Sequence, residues 1–200
     1  LLVSISALLF STPGLFTRSV EAGGWEVTFW RGLFGAGLSL AFLVARGKMK
    51  HEFAAFNKMG WLAAFIWATG AIAYIQAFKL TSIANVALIY GSAPLLSALV
   101  AWLVLGETPR RIVLIASAFA FAGVVVVAQG SLGSSNLLGD VLALWMTVTV
   151  AIQFAIFRKY PATPSTAVMI VSSLMAIVPC LIFGNPFAVP LHEIAILAVF

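Results

Sequence analysis

Long apolar runs, separated by short connections that hold nearly every charge, constrain this chain more than any other feature of its sequence. The runs are Leu1–Phe16, Val27–Val44, Trp61–Phe78, Ile83–Leu105, Ile112–Ala128, Leu137–Phe157, Ala167–Phe183 and an open run from Ile194 onward. An α-helix rises about 1.5 Å per residue and the hydrocarbon core of a bilayer is about 30 Å thick, so about 20 apolar residues span it. Six of the eight runs are long enough, and the two at the ends read as cut short. The segments are apolar on all sides and lack the polar stripes of period 3.6 that a soluble bundle shows. The expected fold class is all-α, a polytopic helical membrane protein whose first partner is the lipid bilayer.

Charge sets the orientation. Only 11 basic and 6 acidic residues occur in 200, far below the quarter of charged residues in an ordinary soluble domain. With the connection around Lys48 on the cytoplasmic side and alternation thereafter, that side collects Arg46, Lys48, Lys50, Lys58, Arg110, Arg111, Arg158 and Lys159. The opposite side holds Arg18 and Lys79 with Glu21, Glu26, Asp140 and Glu193, and Arg31 falls inside a span. This is the positive-inside asymmetry. The net charge of +5 thus reports topology, and no nucleic-acid partner is expected. Cys180 is the single cysteine and cannot form an internal disulfide, so stability rests on helix packing. Leu1–Phe16 reads as a clipped first helix, because it lacks a basic leader and a small-residue cleavage site.

None of the connections can house a soluble catalytic domain, which places function within the membrane. Thr108 before Pro109 predicts an N-cap followed by proline at the first helical position. Gly130–Gly133 with Ser134–Asn136 is the best internal boundary. It divides the chain into residues 1–129, a linker 130–136, and residues 137–200. A shift of 140 residues lays Phe16-Thr17-Arg18 on Ile156-Phe157-Arg158 and the run Val27–Val44 on Ala167–Phe183. Each unit would hold five helices. An odd number makes the second unit inverted, and inverted repeats are a signature of secondary transporters.

The candidate substrate-pathway residues are Arg31, Trp67, Tyr74, Asn85, Tyr90, Pro94, Trp145 and Gln153. Arg31 is the one strong charge clearly inside a span, about 8 Å deeper than Glu26. A charge there must snorkel, pair or face water, and in a wet cavity it would attract a carboxylate-bearing solute. Trp67, Tyr74 and Phe78 share a helix face by spacings of seven and four, and Trp145, Thr149 and Gln153 align at steps of four. Asn85 and Ser92 share one face of Ile83–Leu105; Tyr90, Pro94 and Ser97 line another. Buried amides and hydroxyls need a neighbouring helix or a solute as partner. Pro13-Gly14 and Pro94 interrupt helices, as happens beside transport sites, whereas Pro179 reads as a kink. The small-residue pairs Gly32/Ala36, Gly35/Ser39 and Ala116/Ala120 read as packing.

No zinc-protease motif, phosphate loop or pair of carboxylates within a span occurs. His51 and His192 fall on opposite sides of the membrane and cannot share a metal. Leu138-Gly139-Asp140 gives half an aspartyl-protease motif without a second Asp, and Asp140 reads instead as a charge stabilising a helix N-terminus. No metal, cofactor or ATP-driven step is expected, and the chain is not expected to be an enzyme. Two other classes are a membrane-embedded enzyme acting on a lipid or isoprenoid, which would need a clustered catalytic set, and a non-transporting scaffold.

The stretch from Ala77 to Leu88 (AFKLTSIANVAL), followed by Pro94-Leu95-Leu96 and Leu105-Gly106-Glu107, resembles the EamA-type permeases of the drug/metabolite transporter superfamily. Phe29-Trp30-Arg31-Gly32 fits their second helix, and Gly139-Asp140 fits the opening of their second repeat. The resemblance covers essentially the whole chain. It implies part of a ten-helix, five-plus-five inverted-repeat carrier in a bacterial inner membrane, moving small metabolites or drugs without ATP, with export the favoured direction. Residues 1–129 would be the first repeat, lacking the start of helix one. Residues 137–200 would be helices six, seven and the start of eight. Arg31, Pro94 and Glu107 match family positions, and Glu107 is otherwise expected to pair with Arg110 or Arg111. Val171 stands where the shift would repeat Arg31. Substrate identity, coupling and oligomeric state stay open at this point.

Overall fold

The computed structural model describes residues 20–128 and 136–199. The run Leu1–Phe16 and the Gly130–Gly133 part of the expected linker lie outside these residues. The helices are α1 (Gly24–Ala45), α2 (Met49–Ala54), α3 (Lys58–Leu80), α4 (Ile83–Tyr90), α5 (Ala93–Leu105), α6 (Arg111–Ala128), α7 (Leu137–Lys159), α8 (Ser165–Phe183) and α9 (Leu191–Val199). A 3₁₀ turn at Pro186–Ala188 precedes α9. Counting α4 and α5 as one span, five helical segments among the described residues are long and apolar enough to cross a membrane.

Local chemistry starts and stops these helices. Asn57 and Ser82 cap α3 and α4 by accepting from the amides of Gly60 and Asn85, each at 3.0 Å. Asn136 caps α7, accepting from the Leu138 amide at 3.0 Å. Such caps satisfy donors that a helix start leaves open. Gly106 ends α5 with φ at +71°, a left-handed conformation that glycine adopts at little cost. Two details depart from the sequence reading. The connection from Arg46 to Gly60 contains its own short helix, α2. Pro109 is not the first residue of α6, because the Arg110 carbonyl takes the opening bonds from Val113 and Leu114, so the proline stays in the α5–α6 connection.

The helices alternate direction and leave a basic end and an acidic end. The most extensive interface joins the antiparallel pair α3 and α7, followed by α1 with α8 and α8 with α3. In hydrocarbon, close backbone approach and good packing drive helix association, and small residues allow it. Ala63, Gly70 and Ala77 recur at seven-residue steps on α3 and lie at this interface. A Cβ added to Gly70 would overlap the Thr149 hydroxyl, and one on Gly139 would come within 2.8 Å of Thr81 Cβ. On α1, Gly32 lies against the Ser173 carbonyl, 3.3 Å from where its Cβ would stand. Ser39 approaches Met169 Sδ at 3.7 Å, so this stripe does pack. Ala116 and Ala120, by contrast, face outward among the described residues.

Polar ties lace both ends. At the basic end Lys159 Nζ donates to the Val104 carbonyl at 2.8 Å. Glu107 pairs with Arg158 at 2.6 Å, not with Arg110 or Arg111, because α7 brings its basic last turn over the α5–α6 connection. At the acidic end Lys79 Nζ donates to the Val20 carbonyl at 2.7 Å. Glu193 accepts from the Ala22 amide at 3.0 Å, and Glu26 from the Asn185 amide at 2.7 Å.

Candidate solute-binding site

Arg31 lies seven residues into α1, Tyr74 six residues from the far end of α3, and Tyr90 seven residues into α4. At 1.5 Å per residue all three sit about 10 Å in from the acidic end, so the antiparallel and parallel helices bring them to one level. The Arg31 guanidinium stands 5.0 Å from the centroid of the Tyr74 ring, a cation–π distance. Tyr74 in turn meets Phe78 edge to face at 5.0 Å. Trp30 stacks on Phe34 at 5.8 Å, and its indole N–H donates to the Pro186 carbonyl at 2.9 Å. Tyr74 packs against both the Val27–Ile75–Leu197 cluster and the Ala73–Val86–Met146 cluster. It therefore bridges α1 and α9 on one side with α4 and α7 on the other.

The same level holds the interruption between α4 and α5. Helix α4 ends at Tyr90, Gly91 and Ser92 form the turn, and Pro94 is the second residue of α5. Pro94 has no N–H, so the Tyr90 carbonyl cannot receive the usual bond from four residues on. The Ser92 hydroxyl and amide both donate to the Ile89 carbonyl, at 2.6 and 3.0 Å. An arginine, two tyrosines and a loosened stretch of backbone thus gather about a third of the way in from the acidic end.

The other candidates separate. Trp67 and Gln153 line a cleft of about 220 Å³ toward the basic end, with Phe154, Phe157, Ser165 and Met169. Gln153 is 5% exposed, and its Oε1 has no hydrogen-bond donor among the described residues. Trp145 donates its indole N–H to the Thr69 hydroxyl at 3.3 Å, tying α7 to α3. Asn85 is not at the Arg31 level. It is 7% exposed near the acidic end, where its Nδ2 donates to Thr81 Oγ1 at 3.2 Å and to Asp140 Oδ1 at 3.4 Å. Thr81 itself donates to Asp140 at 2.7 Å. The sequence reading missed Thr81 and Thr69, and treated Asp140 as a helix-end charge alone. Thr81 is extended between α3 and α4, so helical spacing gave no signal for it.

Residues 1–129 match the model of the EamA-like transporter family. The chain belongs to that family. No curated protein matches it. This EamA-like protein is accordingly a multi-pass membrane protein of the drug/metabolite transporter type, and members of the family are transporters rather than enzymes. The chemistry on display suits that class. A guanidinium on an aromatic face, amides, hydroxyls and a break in a helix can bind and release a solute without making or breaking a bond.

Proposed function

We propose that this EamA-like protein is a secondary carrier that moves small amphipathic solutes bearing an anionic group by alternating access, without ATP. The observation that carries the reading is the Arg31 guanidinium over Tyr74 at the level of the α4–α5 interruption. Helix breaks beside a charged residue within a span are the usual surroundings of a transporter site. Residues 1–129 form one five-helix repeat on this reading, 130–136 the linker, and residues from 137 onward a second, inverted repeat. The antiparallel packing of α1 on α8 supports it. Their midpoints lie near Phe34 and Leu174, which the 140-residue shift superposes. The basic end faces the cytoplasm of a bacterial inner membrane. The cleft at Trp67 and Gln153 lies toward the basic end, the side from which an exporter loads.

Solute flux into proteoliposomes tests the site. A desolvated cation–π contact or charge-assisted hydrogen bond is worth roughly 2 kcal/mol, so Arg31→Ala lowers flux by about tenfold or more at subsaturating solute. Arg31→Lys, which keeps the charge and loses the planar fork, falls between. Unchanged flux in both Arg31→Ala and Tyr74→Ala would remove the assignment.

A further inference from the structure

The connection between α1 and α3 carries Arg46, Lys48 and Lys50 against a single carboxylate, Glu52. That carboxylate is turned inward, where Glu52 Oε2 accepts from the Ala167 amide at 3.3 Å in the first turn of α8. Arg46, Lys48 and Lys50 are exposed, and among the described residues they form no salt bridge. Their spacing is set by the backbone. Gly47 has φ at +63°, its N–H donates to the Val44 carbonyl at 2.9 Å, and that of Lys48 donates to the Leu43 carbonyl at 3.1 Å. This paired helix-ending turn fixes how the chain enters α2.

On α2, Met49 and Phe53 stand four residues apart on one face. They are 41% and 39% exposed, while Lys50 and His51 point to other sides of the helix. The Arg46 guanidinium lies 4.4 Å from the Phe42 ring centroid. Trp61, at the start of α3, is 57% exposed, as expected for an aromatic at the membrane–water boundary. A short helix with an exposed apolar pair beside three exposed cations matches the headgroup layer, where apolar side chains enter the acyl boundary and cations meet phosphate.

We propose that the α1–α2 turn is a binding site for one anionic phospholipid of the leaflet at the basic end. Its phosphate engages Arg46, Lys48 and Lys50, and its first acyl segment lies against Met49 and Phe53. The site is independent of the transport reading, since it lies outside the Arg31 level.

Native mass spectrometry of the full chain in neutral detergent tests this, with phosphatidylglycerol and phosphatidylcholine of identical chains as probes. The wild type retains phosphatidylglycerol about tenfold more tightly or better. The Arg46→Gln/Lys48→Gln/Lys50→Gln variant loses that preference. Removing as many charges elsewhere at the same end, in Lys58→Gln/Arg110→Gln/Arg111→Gln, keeps it within about twofold. Inorganic phosphate at about 10 mM does not displace the lipid. Equal loss in the two triple variants would overturn the proposal by reducing the site to a diffuse surface potential. Equal retention of the two lipids by the wild type, or displacement by phosphate, would overturn it without any variant.

Discussion

Gly70 is where α3 and α7 come together with least room to spare, since a Cβ there would overlap the Thr149 hydroxyl. Gly70→Ala therefore lowers stability by about 1–3 kcal/mol through overpacking. Thr149→Ala on the same background recovers part of the loss, because it removes the atom in the way. Thermal unfolding in detergent of the two single variants and the double variant reads the coupling directly. If the two changes simply add, Gly70 is not packed as described. The residue scale is also where sequence reading had least reach. Arg31 stood out by charge alone, but its partner ring on Tyr74 is contributed by another helix, and helical spacing within one segment cannot reveal a partner on the next. Asn85 shows the converse. Its polarity marked it for the solute path, yet its amide is engaged by Thr81 and by Asp140, 55 residues further on.

The helical elements were legible because each buries its backbone bonds internally and needs only an apolar length to span lipid. The run Val27–Val44 became Gly24–Ala45 and Trp61–Phe78 became Lys58–Leu80, because first and last turns take in charged residues such as Glu26, Lys58 and Lys79 that an apolar run excludes. Helix α2 escaped notice because six amphipathic residues make no apolar run. The start of α6 was misplaced because a Thr-Pro pair fits an extended turn as well as a cap. At this scale Asp140 is the joint between the α3–α4 elbow and the first turn of α7. Asp140→Ala leaves Thr81 and Asn85 without that acceptor and lowers stability by about 1–3 kcal/mol. Asp140→Asn, whose amide oxygen still accepts from Thr81, costs less. Thermal unfolding separates the two. Equal effects would mean that the carboxylate acts through the helix N-terminus alone.

For the whole molecule, the distribution of ties is the feature that bears on transport. The acidic end is held by Lys79–Val20, Glu193–Ala22, Glu26–Asn185 and Thr81–Asp140 contacts and the basic end by Lys159–Val104, Arg158–Glu107 and Ala167–Glu52 contacts, with the cleft between α3, α7 and α8 toward the basic end. On the proposed alternating-access reading, the ties at one end release while those at the other hold, with the Arg31 level between them. The most direct measurement is thiol accessibility at Tyr74→Cys in a protein whose single cysteine, Cys180, is replaced by serine. In oriented vesicles a membrane-impermeant thiol reagent is added from one side and then, in a separate sample, from the other. The account predicts modification from both sides, faster from the basic end, and protection by transported solute in each case. Modification from one side only, under all solute conditions, would contradict a carrier that alternates about this level.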